Sequence, residues 1–122
     1  DTYGHQVGDR VLVAVAQKCA KFVRREDMVA RYGGEEFVIV LRGASLRNST
    51  KKAKQICKEI AATSYALDGT RAEQVLAVTV SIGVSSYQRG DRAADVTRRA
   101  DQSLYQAKRK GKNRAVSEKE VK

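Results

Sequence analysis

The feature that most narrows the fold of this chain is a pair of adjacent glycines, Gly33-Gly34, set between two short runs of strand-forming residues. Met28-Val29-Ala30-Arg31-Tyr32 precedes the pair, and Phe37-Val38-Ile39-Val40-Leu41 follows two carboxylates, Glu35-Glu36. β-Branched and aromatic residues favour extended backbone, and tight hairpin turns need the positive φ that glycine adopts without steric cost. The pattern predicts a β-hairpin with both glutamates at its tip. Elsewhere the apolar residues recur every three or four positions, in three separate stretches. Leu12, Val15, Cys19 and Phe22, with Val11, Ala16, Ala20 and Val23 beside them, predict a helix from Gly8 or Asp9 to Val23, with Asp9 as a plausible N-cap. Ala53, Ile56, Cys57, Ile60 and Ala61 predict a second helix, with capping side chains from Ser45 to Asn48 and with Lys51, Lys52, Lys54 and Lys58 off the apolar stripe. Val96, Ala100, Leu104 and Ala107 predict a third, capped by Asp91 and closed by Gly111 as a left-handed C-terminal cap.

Between the second and third helices, Tyr65 to Glu73 reads as a loop and Val75 to Ser85 as one central strand covered on both faces. Asn113 to Val116 reads as a short edge strand, and Ser117 to Lys122 as a charged tail that frays. The resulting class is α+β, helices packed on a mainly antiparallel sheet. A length of 122 residues fits one domain, placed at 1–116 with the tail at 117–122. Two hairpin strands and one central strand make a thin sheet for three helices, so one strand is expected to be missing. No uncharged apolar run approaches the roughly 20 residues of a membrane-spanning helix. Cys19 and Cys57 fall in the predicted helices without CxxC spacing and read as buried thiols in a reducing compartment.

The net charge of +10, from 24 Lys and Arg against 14 Asp and Glu, suits a polyanionic partner. A nucleic acid is not the expected one. The cations are spread over three helices, and aromatic residues at 6% leave no evident stacking platform. For Glu35 and Glu36 two readings stand side by side. One is a solvated turn. The other is a site in which glycines admit a ligand to the backbone while carboxylate oxygens hold Mg²⁺, an ion that takes one or two carboxylates together with substrate phosphates.

The surrounding residues favour the second reading. Arg31-Tyr32-Gly33-Gly34-Glu35-Glu36-Phe37 resembles the signature of the GGDEF family of diguanylate cyclases, in its GGEEF form. Asp1-Thr2-Tyr3-Gly4-His5 with Gly8-Asp9 is similar to the family's segment after its first metal-binding strand. Thr79 to Ser85 is similar to its central strand, and Ala100 to Lys108 with Lys110-Gly111-Lys112-Asn113 to its C-terminal helix and phosphate-contacting end. The resemblance covers nearly the whole chain. It implies a palm-like, nucleotidyl-cyclase-like fold and condensation of two GTP into cyclic di-GMP with release of two pyrophosphates. The reaction would need a homodimer with one GTP per subunit and two Mg²⁺ or Mn²⁺ ions, and it would serve second-messenger signalling in bacteria.

By position, the resemblance makes Glu35 a metal ligand and the group that assists deprotonation of the 3′-hydroxyl. Glu36 would lie beside it as a metal or nucleotide contact, and Gly33 and Gly34 would admit the nucleotide. Asp9 would accept from the guanine edge, a role compatible with its N-cap reading. Lys108 and Lys112 would reach the β- and γ-phosphates, or else complement the helix dipole. Arg24-Arg25-Glu26-Asp27, with five residues between Asp27 and Gly33, matches the family's allosteric product site. There Arg24 would bind phosphate and guanine and Asp27 a guanine edge. The basic contact that the family often adds from the next helix aligns with Gln55, with Lys54 and Lys58 nearby, so the strength of that site is open.

The family's first metal-binding Asp and its guanine-reading Asn would both precede Asp1. We therefore expect the first strand and helix of the domain to be missing from this chain, and the chain alone to be weakly stable and inactive. The parent is expected to be active in the cytoplasm, where GTP is, behind a sensory or receiver domain that is membrane-anchored in some relatives. The alternative is a catalytically inactive regulatory module that binds cyclic di-GMP.

Overall fold

The structure, a computed structural model, describes residues 4–25, 27–33, 36–62, 64–66 and 75–121. In chain order the elements are α1 (Gly4–Ala20), β1 (Met28–Gly33), β2 (Glu36–Val40), α2 (Leu46–Ala62), β3 (Ser64–Ala66), β4 (Val75–Ala77), β5 (Ile82–Val84), α3 (Ala93–Arg109) and β6 (Ala115–Ser117), with a closing 3₁₀ turn at Glu118–Glu120. They divide into two compact units, Asp1–Gly43 with Ala62–Val78, and Ala44–Ala61 with Thr79–Lys122. Among the described residues no helix is long and apolar enough to cross a membrane.

In the first unit β1 and β2 form the predicted antiparallel hairpin. Met28 lies opposite Val40, Val29 opposite Ile39, Ala30 opposite Val38 and Arg31 opposite Phe37. The register then shifts so that Gly33 pairs with Glu36, which leaves Tyr32 as an extra residue on β1, a bulge beside the tip. Gly33 and Glu36 are thus strand residues, whereas Gly34 and Glu35, expected in the turn region, lie outside the described residues.

Helix α1 starts at Gly4, earlier than expected. Asp9 is therefore an interior helical residue, and its reading as N-cap is corrected. The helix also stops at Ala20, where Lys21 and Phe22 donate to the carbonyls of Lys18 and Cys19 at 3.2 and 3.0 Å in tighter turns. Val15 and Cys19 form its buried side. Tyr65 and Ala66, expected in a loop, belong to β3, which pairs antiparallel with β4 through Ser64–Ala77, Tyr65–Leu76 and Ala66–Val75. The remainder of that expected loop lies outside the described residues.

The second unit is built on a β5-α3-β6 crossover. Its two strands are parallel, with Ile82 beside Ala115, Gly83 beside Val116 and Val84 beside Ser117. Among the described residues two ladders are antiparallel and this one is parallel, within an α+β arrangement. The continuous strand expected from Val75 to Ser85 is two strands, because β4 finds its partner in β3 and β5 finds a different one in β6. Helix α2 begins where predicted: the Ser45 Oγ accepts the Asn48 N–H at 3.1 Å, satisfying a first-turn donor. Its Ala53 and Cys57 pack with Val84 and Ala115, ringed by Leu46, Val80 and Ile82. Ile56 and Ile60 are also buried, whereas Ala61, expected on the stripe, is exposed.

Helix α3 lies directly on Gly83. A Cβ at that residue would fall 2.1 Å from the Ala100 carbonyl oxygen and 2.3 Å from the Leu104 nitrogen, so only glycine permits this approach. The buried side of α3 centres on Ser103 and Ala107; the Ser103 Oγ donates to the Arg99 carbonyl at 2.9 Å. At its start the cap is Arg92, whose N–H is accepted by Asp95 at 2.8 Å, not Asp91 as expected. At its end the Lys112 N–H bonds the Ala107 carbonyl at 3.0 Å and the Gly111 N–H the Lys108 carbonyl at 3.4 Å, around Gly111 at φ 121°. This is the glycine-dependent closure expected there.

The last strand begins at Ala115 rather than Asn113, and its three residues are buried. Nor does the chain fray after it. Glu118 accepts from the Ser86 N–H at 2.7 Å, from Gln88 Nε2 at 3.0 Å and from Arg99 Nε at 3.1 Å.

Candidate functional site

Three places in the fold carry the residues singled out by sequence. The first is the β1–β2 hairpin, which sets Gly33 opposite Glu36. It leaves two residues, Gly34 and Glu35, between the paired strand ends. Asp9 lies on α1 of the same unit. A glycine pair adjoining two carboxylates supplies hard oxygen donors next to backbone free of side chains, the donor chemistry that Mg²⁺ takes. Among the described residues no group of three or more His, Cys, Asp or Glu side chains gathers in a metal-binding cluster.

The second place is the turn from Arg24 to Asp27, which the structure brings into direct contact. The Asp27 Oδ2 accepts the Arg24 N–H at 2.8 Å, and its Nε lies 3.5 Å from the same oxygen. The Asp27 Oδ1 accepts the Arg42 N–H at 2.9 Å, and Arg24 Nη2 donates to the Arg42 carbonyl. These donors, the Arg24 N–H foremost, hold the Asp27 carboxyl below the usual carboxylate range against the opposing effect of burial. The Asp27 side chain is 1% exposed and that of Arg24 53%.

The third place is the end of α3. Lys108 occupies its last turn, and Lys112 follows Gly111 with φ 65°, ahead of Asn113 at φ 50°. Three successive positive φ values turn the chain sharply into β6. Lys108, Arg109, Lys110, Lys112 and Arg114 are all exposed here, a concentration of cations suited to phosphate. Arg109 packs 5.7 Å from the Tyr105 ring centroid and donates to its hydroxyl at 3.3 Å. Lys108 and Lys112 belong to the second unit, and Gly33 and Glu36 to the first. Gln55 is an exposed residue of α2 with Lys54 and Lys58 near it in sequence, also exposed.

Sequence reasoning missed one cluster. Arg99 joins Asp91 through paired bonds of 3.1 and 2.5 Å, Glu118 at 3.1 Å and the Ser86 carbonyl at 2.8 Å. The Arg99 bond, then the Gln88 N–H, lowers the Asp91 pKa. No periodicity announces a partner as distant as Glu118. Cys19 is buried, as expected, and burial pushes its thiol up.

The family model described as "Diguanylate cyclase, GGDEF domain" matches residues 1–114. Diguanylate cyclase A of Treponema denticola is 41% identical over 120 residues, 98% of this chain and 31% of that protein. The chain therefore spans about a third of that relative's length. Among solved structures, the active GGEEF domain of a diguanylate cyclase from Vibrio cholerae is 35% identical with a TM-score of 0.84, over 96% of this chain and 72% of that one. The GGDEF domain of DgcB from Caulobacter crescentus, solved in complex with c-di-GMP, is 31% identical with a TM-score of 0.86, over 98% and 69%. With a matching model across residues 1–114 and the Gly33 to Glu36 hairpin in place, the chain belongs to the diguanylate cyclase GGDEF-domain family.

Proposed function

We propose that this domain, in its full-length protein, condenses two GTP molecules into cyclic di-GMP and two pyrophosphates, working as a homodimer with one GTP on each subunit. The observation that carries the reading is the hairpin that sets Gly33 opposite Glu36, in a chain 35% identical to a domain described as an active GGEEF domain. Gly33 and Gly34 leave the backbone open to the nucleotide. Glu35 and Glu36 would hold Mg²⁺ or Mn²⁺, which when bound neutralises phosphate charge and lowers the pKa of an attacking hydroxyl. Glu35 accepts the proton of the 3′-hydroxyl as it attacks the α-phosphate of the other GTP. Asp9 accepts from the guanine edge. Lys108 and Lys112 place positive charge against the β- and γ-phosphates, so that positioning and charge neutralisation supply most of the rate.

Product feedback belongs to the same proposal. Arg24, half exposed beside its turn, offers its guanidinium to a phosphate of cyclic di-GMP. GTP supply puts the reaction in the cytoplasm, under the control of a sensory or receiver domain.

The test follows release of pyrophosphate and appearance of cyclic di-GMP from GTP with Mg²⁺, for the 122-residue chain beside an N-terminally extended form. Turnover is expected from the extended form and not from the short chain. Glu35→Ala is expected to lower it by about 100-fold or more, the scale of a lost general base, while leaving product binding intact. An extended form that binds cyclic di-GMP but never turns GTP over would instead identify a regulatory binding module.

A further inference from the structure

The turn that joins α3 to β6 keeps its shape against the preference of its own residues. Gly111 at φ 121° is at ease there, but Lys112 at φ 65° and Asn113 at φ 50° lie in the left-handed region. Asparagine enters that region readily. A lysine seldom does, and such a conformation persists only where the surroundings fix it. Two bonds do so at Lys112. Its N–H reaches back to the Ala107 carbonyl at 3.0 Å, and its own carbonyl accepts Arg114 Nε at 3.0 Å. Arg114 is itself anchored through its main chain, because its carbonyl accepts the Ile82 N–H of β5 at 2.9 Å. Its guanidinium folds back along the turn. A Cβ at Gly111 would fall 3.0 Å from Arg114 Nη2 and 3.8 Å from its Cζ, so the glycine also leaves room for that group.

The Cα–Cβ bond is fixed to the main chain, so the left-handed φ at Lys112 sets the direction in which its exposed side chain leaves the turn. From this geometry we infer that Arg114 is a positioning residue: its Nε bond locks the Lys112 main chain and so aims the Lys112 ammonium at the outer phosphates of a guanosine triphosphate. A lysine is a point charge on a flexible stem, and it gains most from a fixed base. The phosphate end of this inference rests on the cyclase reading above; the lock itself does not.

The test replaces Arg114 in the full-length protein by Gln and by Met. Gln carries a nitrogen donor at the place along the side chain that Nε holds in Arg, whereas Met has a methyl group there. Both variants lose the same charge, so a difference between them reports the bond. The Lys112 amide should exchange its hydrogen about 3- to 10-fold faster in Arg114→Met than in Arg114→Gln, the factor of one ordinary hydrogen bond. With divalent metal chelated so that nothing turns over, GTP should bind Arg114→Met more weakly than Arg114→Gln by about the same factor. GMP, which lacks the outer phosphates, should bind both equally. Arg114→Lys keeps the charge but puts a methylene where Nε stood, so it should bind GTP more weakly than the wild type does. Should the Met variant not fold, that comparison carries the test at unchanged charge. Equal GTP affinity in the Gln and Met variants, or equal exchange at Lys112, overturns the inference. A loss of GMP affinity alongside GTP does so too, since it marks a general loosening, and so does an Arg114→Lys variant that matches the wild type, since charge alone would then suffice. If the Gln and Met variants differ as expected in a protein that never forms cyclic di-GMP once Mg²⁺ is supplied, the role of Arg114 stands and the cyclase reading fails.

Discussion

Replacing Gly83 by alanine should be among the most damaging single-methyl changes available in this fold. The added Cβ would lie 2.1 Å from the Ala100 carbonyl oxygen, 2.3 Å from the Leu104 nitrogen and 2.9 Å from the Leu104 Cα. Comfortable separations between such heavy atoms are near 3.5 Å, so α3 would have to retreat by roughly 1 Å. All three obstructing atoms are backbone, and no rotamer change relieves them. Retreat would loosen the packing of Ser103 and Ala107, both fully buried. It would also disturb a parallel ladder only three residues long. Overpacking a core costs about 1–3 kcal/mol where side chains can yield. With backbone on both sides, about 3 kcal/mol is the lower bound we expect. At a urea m-value of about 1.5 kcal/mol/M that lowers the midpoint by about 2 M. The assay is equilibrium urea unfolding followed by far-UV circular dichroism, with Gly90→Ala as the control. Gly90 has a positive φ of 94° but open space around its would-be Cβ, so it reports conformational strain alone, about 1 kcal/mol. If Gly83→Ala shifts the midpoint no more than the control does, the close approach of β5 to α3 is not there and the argument fails.

Three further outcomes are expected. Ser45→Ala removes the oxygen that receives the Asn48 N–H and should cost about 1 kcal/mol, seen as a lower thermal midpoint that Ser45→Asp largely avoids. Ile60→Ala, at a fully buried position of α2, should cost about 2–5 kcal/mol in the same urea assay; a loss below 1 kcal/mol would mean the site is open to water. Asp91 should make the protein acid-sensitive. Its folded pKa is depressed, chiefly by Arg99, so its contribution is complete above the unfolded value of about 3.9 and is lost as pH falls through the lower folded value. Wild-type stability should therefore drop more steeply below about pH 4 than that of Asp91→Asn, and parallel curves would contradict this.

What could be read from the residues alone was whatever repeats at short range. The hairpin, the apolar stripe of α2 apart from Ala61, and the glycine closure of α3 each follow from residues within a few positions of one another, and each stands in the fold. Boundaries were less legible: α1 starts at Gly4, which moves Asp9 from cap to helix interior. The break between β4 and β5 was invisible because Val75 to Ser85 favours extended backbone throughout, and only the choice of partner, β3 for one half and β6 for the other, divides it. The charged end of the chain misled for a related reason. Glu118 looks like a solvated residue until Arg99, 19 positions away, is brought beside it at 3.1 Å.

Asp27 shows the same limit at the candidate site, and there it bears on function. The Arg-x-x-Asp spacing names a carboxylate and a cation, and the fold does bring them together. What the spacing does not disclose is Arg42, which joins the pair through its main-chain N–H and carbonyl. Any residue but proline at position 42 could donate the same N–H, so no side-chain pattern could disclose the bond. A motif thus specifies which groups are present, whereas the backbone donors around them decide how those groups are held. The Asp27 carboxylate, each of whose oxygens receives one main-chain N–H, fixes this turn against the segment that follows β2 and keeps further lone pairs for another donor.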